Sequence, residues 1–292
     1  MNADLLAQAV ASGLLIGGLY AMMSVGISLS WGALKIINLA HFAFILLGAY
    51  LTYQLTTSFG LDPFLMILVM FPLFFIAGAF LQVFFEWANV DEFKSLLISF
   101  GIFIIFSSLV RTVWTADFRR IGSEINPYDS ASIFIGGVAL QVPLIAAFVA
   151  ALIIAVGMSL LLSRTHFGRA VRAVAQDAEM ARAFGIDPRR VAVVVSGLAT
   201  GFSGLAGVFI AMFQTLSPTM TFAWFGIVFS VVILGGLGST YGALGAGVIV
   251  GIAAAVTTVT WGPLAAPLVT FLLLIAALLF RPGGLFKRGS PA

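Results

Sequence analysis

Residues 191–280 read VAVVVSGLATGFSGLAGVFIAMFQTLSPTMTFAWFGIVFSVVILGGLGSTYGALGAGVIVGIAAAVTTVTWGPLAAPLVTFLLLIAALLF, 90 residues without one Asp, Glu, Lys or Arg. A membrane-spanning helix takes roughly 20 mainly apolar residues, so this stretch has room for three or four crossings. Outward from it the same pattern repeats. Charge-free runs lie between Asp4 and Lys35 (30 residues), Lys35 and Asp62 (26), Asp62 and Glu86 (23), and Lys94 and Arg111 (16, extendable to Trp114). Another 34 residues separate Asp129 from Arg164, of which about 137–162 reads as a span. Over the whole chain of 292 residues, 61% are hydrophobic and 25 side chains are charged, 14 Lys+Arg and 11 Asp+Glu. A water-soluble domain is nearer 45–50% apolar and about 25% charged. The chain cannot cover itself in water, which excludes a soluble enzyme, a nucleic-acid-binding protein and a disordered tail. With no cysteine it cannot form a disulfide framework or a cysteine-based metal site.

Short basic loops set the orientation. Residues 163–190 carry Arg164, Arg169, Arg172, Arg182, Arg189 and Arg190, and the C-terminus carries Arg281, Lys287 and Arg288. Both read as cytoplasmic by the positive-inside bias, which also accounts for a net charge of +3 without nucleic acid. An even number of crossings must then separate them. Four fit, at about 191–214, 222–238, 241–260 and 264–280, with the third and fourth tight enough to be re-entrant or half-spanning. Counting back from Arg164 gives five more and an exported N-terminus, where Asp4 is the only charge in the first ten residues. The expected fold is an all-α polytopic transmembrane helix bundle of about nine spans, eight to ten, in a single domain over 1–292. Trp31, Trp87, Trp114, Trp224 and Trp261 all fall near proposed span ends, where indole rings prefer the interface.

Two segments interrupt the helical pattern. Trp31-Gly32-Ala33-Leu34-Lys35-Ile36-Ile37-Asn38-Leu39-Ala40-His41 sets a lysine, an asparagine and a histidine between apolar runs, and Leu234-Gly235-Gly236-Leu237-Gly238-Ser239-Thr240-Tyr241-Gly242 is poor helix. Backbone freed from helix at membrane depth must line protein or water. Broken segments in each half point to a translocation path, so Asn38, His41, Gly235, Gly236, Gly238, Ser239 and Gly242 are its candidates. The alternatives are an ordinary cytoplasmic turn and close helix packing through small residues, respectively. Gly197, Gly201, Gly204 and Gly207, spaced by four, three and three, form a packing stripe.

What is missing narrows the class. No proposed span carries a charge near its centre, which counts against a proton symporter. The only histidines, His41 and His166, have no partner set for metal binding or nucleophilic catalysis. No Gly-Lys-Ser/Thr loop is present, so ATP would have to be used by another subunit. The chain is not expected to be an enzyme or to hold a cofactor or metal of its own.

Residues 163–190 hold the remaining clue. From Gly168 the loop reads GRAVRAVAQDAEMARAFGID, rich in helix formers, with Val171, Val174, Ala178 and Ala181 on a narrow apolar stripe. Gly185 reads as the stop of one amphipathic helix over 168–185, and Asp187-Pro188 as the cap and first turn of the next. Such a helix either docks into a groove on a cytosolic partner or lies on lipid headgroups. The coupling candidates are Gly168, Arg169, Arg172, Gln176, Asp177, Glu179, Ala181, Arg182 and Gly185.

Four ordered blocks carry a resemblance: Gly17-Gly18-Leu19-Tyr20-Ala21 with Leu34 to His41; Arg172 to Asp177 with Glu179 to Ile186; Leu234 to Ser239 with Gly242-Ala243; and Arg281-Pro282-x-Gly284-Leu285-Phe286. Over nearly its whole length the chain resembles the permease subunits of ATP-binding-cassette importers, specifically the branched-chain amino-acid family. Glu179 to Gly185 keeps the spacing of the loop by which such permeases engage their ATPases, although Met180 replaces an alanine. The resemblance implies a bacterial inner-membrane subunit that pairs with a homologous second permease, or a second copy of itself. It implies two cytosolic ATP-binding subunits, which bring ATP and Mg, and a periplasmic solute-binding protein that largely sets the solute. Family solutes include leucine, isoleucine, valine, urea, short amides and aromatic acids. The other readings are a sodium-coupled secondary carrier acting alone and a membrane receptor or scaffold.

Overall fold

The computed structural model describes residues 3–129, 131–281 and 283–286; Pro282 and the basic Lys287 and Arg288 lie outside the described residues. The molecule is almost wholly helical. Helix α1 (Ala3–Leu34) is followed by α2 (Ala40–Phe59), α3 (Met66–Trp87), α4 (Glu92–Trp114) and α5 (Val142–Arg164). Two short helices, α6 (His166–Gln176) and α7 (Ala178–Ala183), lead to α8 (Pro188–Phe213), α9 (Thr221–Gly235), α10 (Thr240–Trp261) and α11 (Ala266–Phe280). Among the described residues eight helices, counting the turn that leads into α11, are long and apolar enough to cross a membrane. Helix α9 is the short ninth. Fifteen residues rise about 22 Å, less than the roughly 30 Å of a hydrocarbon core. The shortened crossing is therefore the second of the last four. The third, α10, is a full 22-residue helix, and α11 gains its length from a turn over Pro263–Ala265.

Local chemistry places the ends. Asp91 Oδ1 accepts from Lys94 N at 2.8 Å and caps α4, and Asp62 Oδ1 accepts from Phe64 N at 2.7 Å in the turn before α3. Gly60 ends α2 in the left-handed region at φ 64°. One part of the proposed fifth span is not helix. Ser132–Ile135 and Val138–Gln141 form an antiparallel hairpin across Gly136-Gly137, and the helix begins only at Val142. Both turn glycines have positive φ, 55° and 84°, which suits a two-residue hairpin turn better than helix. Gln8 holds this hairpin, donating to Ala139 O at 2.7 Å and accepting from Ala139 N at 2.8 Å.

The core is built around α8, with α1 and α2 against it. Gly197 and Gly201 face Phe75 and Phe71 of α3, Gly204 faces Phe74, and Gly207 faces the backbone of α2 at Ile45 and Ala49. This is the packing role expected of that stripe. Helix α1 also runs against α10 at near backbone contact: a Cβ on Gly247 would lie 2.5 Å from Gly17 O. Helices α3, α4, α5 and α11 turn large apolar side chains outward, among them Leu68, Phe80, Ile105, Ile153 and Leu279, each exposed by 63% or more. A surface of that composition belongs in lipid rather than water.

Candidate functional site

Loops between helices gather at two ends. The arginine-rich end holds the α1–α2 break, the α3–α4 turn, α6 and α7, and the start of α8. Among them lies a cavity of about 970 Å³. Lys35 and Ile36 of the break form one wall, Glu86 and Asp91 another, and Gln176, Asp177 and Arg182 the side toward the coupling candidates. Arg189 Nε sits 2.7 Å from Glu86 Oε2, tying the end of α3 to the start of α8 across the cavity. Lys35 (φ 54°) and Asn89 (φ 48°), which also line it, are non-glycine residues in the left-handed region, a conformation that costs energy and recurs at working sites.

The segment over 168–185 is two helices, not one. Asp177 is extended (φ −155°, ψ 108°) and ends α6. Its carboxylate then accepts from Glu179 N and Met180 N, both at 2.9 Å, to cap α7. An aspartate that caps well competes with the helix running through it. The break rotates the stripe: Val171 and Ala181 are buried and Val174 is partly so, but Ala178 is exposed. Gly168 lies against the last turn of α5 at Leu162, where a Cβ would not fit, and its N–H donates to Thr165 Oγ1 at 3.1 Å. Arg172 donates to Leu162 O. Arg169, Gln176, Glu179 and Arg182 face outward and are exposed. Gly185 stops α7 at φ 81°, with Ile186 N donating to Ala181 O, and Asp187 caps α8 through Arg189 N at 3.0 Å. Both ends fall where the sequence put them.

The two interruptions, some 200 residues apart in sequence, meet. Gly238 N donates to Ser28 O and lies equally close to Ser28 Oγ, both at 3.1 Å, and Gly32 packs directly on Gly238. Gly235 and Gly242 face each other so closely that neither could carry a Cβ, while Ser239 Oγ accepts from Gly242 N at 2.9 Å and caps α10. Gly236 and Gly238 both take positive φ, 88° and 78°. Asn38 Oδ1 accepts from Ala40 N at 3.0 Å, starting α2. His41 is buried with Nε2 2.8 Å from Met23 O, and its ring leaves Gly26 no room for a side chain. None of these seven path candidates lines the cavity. Instead they pack α1, α2, α9 and α10 together beside it.

Three features escaped sequence reasoning. Ser95 and Ser99 of α4 hold the α1–α2 break, with Ser99 Oγ accepting from Leu39 N at 2.9 Å. Serines four apart on an apolar helix were the available signal. Ser28 is a third, buried in α1. The Glu86–Arg189 pair joins charges that sequence could place only at span ends. Among the described residues no three His, Asp or Glu side chains converge as metal ligands.

At the opposite end, residues 115–129 close over the loop before α9. Arg119 and Leu216 exchange backbone hydrogen bonds at 3.0 and 2.7 Å, Asn126 Nδ2 donates to Met212 O at 2.8 Å, and Tyr128 Oη donates to Asp62 Oδ2 at 2.8 Å. Asp62 raises the Tyr128 pKa by accepting this hydrogen bond.

An outward apolar surface, two interruptions of the helical pattern that pack on each other and a charged cavity at one end fit a multi-pass membrane permease. Comparison with known proteins narrows this. Residues 9–279 match the family described as branched-chain amino acid transport system / permease component, and the chain belongs to that family. It is 26% identical to the high-affinity branched-chain amino acid transport system permease protein BraD of Pseudomonas aeruginosa, over 96% of this chain and 95% of that protein. It is 24% identical to LivH of Salmonella typhimurium, a permease protein of the same kind of system, again over 96% and 95%. A shorter match, 37% over 82 residues, covers 27% of this chain and 19% of the permease protein LivM of Escherichia coli. No solved structure matches the chain.

Proposed function

We propose that this chain, over 1–292, is the single-domain permease subunit of an ATP-driven importer that moves branched-chain amino acids, or a related small amphipathic solute, into the cytoplasm by alternating access. It works beside a homologous second permease or a second copy of itself, on two cytosolic ATP-binding subunits, below a periplasmic solute-binding protein. ATP and Mg are held by those ATPases and not by this chain. The arginine-rich end faces the cytoplasm with the C-terminus, and the N-terminus is periplasmic, in a bacterial inner membrane.

The observation that carries this is the placement of α6 and α7. Their exposed residues Arg169, Gln176, Glu179 and Arg182 are free to meet a partner, while Gln176, Asp177 and Arg182 also border the cavity whose far wall is the α1–α2 break. A push on α7 from outside passes to the start of α8, whose Arg189 is paired with Glu86 of α3 at the same cavity. The family match favours this importer over a sodium-coupled carrier acting alone. Replacing Glu179 and Gly185 together should reduce solute uptake by the assembled importer while membrane insertion stays intact. Wild-type uptake in that double variant refutes the coupling role.

A further inference from the structure

The break between α1 and α2 is a place where the chain leaves helix at the arginine-rich end of the bundle, only partly exposed to the cavity, and its freed backbone groups need partners. Some are met locally: Lys35 N donates to Trp31 O at 3.1 Å, and His41 N to Asn38 O at 3.3 Å. Ile37 O and Leu39 N find theirs on another helix. Ser99 Oγ accepts from Leu39 N at 2.9 Å and lies 3.3 Å from Ile37 O and 3.2 Å from Leu96 O. The hydroxyl thus accepts from Leu39 N and shares its single proton between Ile37 O of the break and Leu96 O of its own helix. Ser95, a turn earlier, sits 2.6 Å from Glu92 O and 3.5 Å from Ile37 O, so its proton goes mainly to its own helix. Both serines are fully buried. Ser107 lies on the same buried face of α4, yet its hydroxyl has no partner and does not touch the break.

We propose that Ser99 is a positioning residue. It clasps residues 37–39 to α4, and through them fixes Lys35 and Ile36 at the wall of the arginine-rich cavity. Its importance for transport rests on the importer function proposed above; its hold on the break does not. A five-residue break tied to the neighbouring helix mainly through one hydroxyl, with a longer contact from Ser95, is a joint that can reopen at modest cost. Helix α4 is then the fixed support against which α1 and α2 change their relative setting.

The chain has no cysteine, so Ile36→Cys gives a unique thiol at the cavity wall. Its labelling rate by a charged, water-soluble maleimide is measured on the full-length detergent-purified chain. Adding Ser99→Ala should speed labelling about two- to thirteenfold, the range one net hydrogen bond is worth. Ser95→Ala should give a smaller increase and Ser107→Ala none, while Ser99→Thr, which keeps the hydroxyl, should restore the slow rate. Equal rates in Ser99→Ala and the parent overturn the proposal, as does an equal increase from Ser107→Ala, which would make the effect one of general packing. If Ser99→Thr does not insert, the graded alanine series still decides. In the assembled importer Ser99→Ala should lower uptake; faster labelling with unchanged uptake overturns the transport role. A parent complex that imports nothing refutes the proposed function and leaves the labelling result standing.

Discussion

Asp177→Ala tests whether the short helix α7 is the shape in which the coupling segment works. Helix α7 has six residues, far below the roughly 12–15 at which an isolated helix holds in water. It persists through two amide hydrogen bonds to the Asp177 carboxylate, both 2.9 Å, the reversal at Gly185 and the burial of Ala181 against the bundle. Losing an N-cap of this kind costs about 1 kcal/mol, within a range of roughly 0.5–2. One kilocalorie corresponds to about a fivefold shift from helical toward frayed α7. Hydrogen exchange at amides 179–184, read by mass spectrometry on the detergent-purified chain, should therefore quicken about fivefold in Asp177→Ala. Asp177→Ser and Asp177→Asn, which keep a capping oxygen, should stay near the parent rate, and exchange within α8 should not change. Uptake by the assembled importer should fall with the alanine variant and survive with serine. If α7 frays in Asp177→Ala and uptake stays at the parent level, the helical form of α7 is not what the partner grips. Unchanged exchange would refute the capping account itself.

Two further outcomes follow from packing and charge. Gly247→Ala should lower the thermal midpoint in detergent, because its Cβ would lie 2.5 Å from Gly17 O and 2.9 Å from Ala21, and overpacking of that kind costs about 1–3 kcal/mol. Gly157→Ala, where a Cβ meets nothing within 4 Å, should raise the midpoint slightly, since alanine is the better helix former. At Asp91, the hydrogen bond from the Lys94 amide, with help from the Lys94 ammonium, holds the carboxyl below its usual pKa of 3.8. A depressed carboxylate stabilises the fold above the unfolded value and loses that contribution as pH falls through the folded one. Protection of amides 93–95, corrected for intrinsic exchange, should thus be flat between pH 5 and 8 and drop only below about pH 4, and Asp91→Asn should remove that acid sensitivity while keeping the cap.

Much of this molecule is written locally. Long charge-free runs force spanning helices, because charge in hydrocarbon is costly wherever the helix packs. Asp187-Pro188 and Gly185 act within one turn, so their roles as start and stop needed no knowledge of the rest of the chain. Asp177 was legible only as a helical position, since the gain from capping α7 over continuing α6 depends on burying Val171 and Ala181 against different parts of the bundle. Residues 137–141 read as the start of a span because a short apolar hairpin and the start of an apolar helix have the same composition; Gln8, over 120 residues away, secures the hairpin. Sequence composition flagged both interruptions, but not that Gly32 rests on Gly238, that Ser99 holds Leu39, or that Glu86 pairs with Arg189. Those contacts follow from which helices approach closely enough to touch, and that is set by the fit of glycine stripes on α1, α8 and α10 to particular facing surfaces. Hydropathy, which is summed along the chain, carries no trace of that fit.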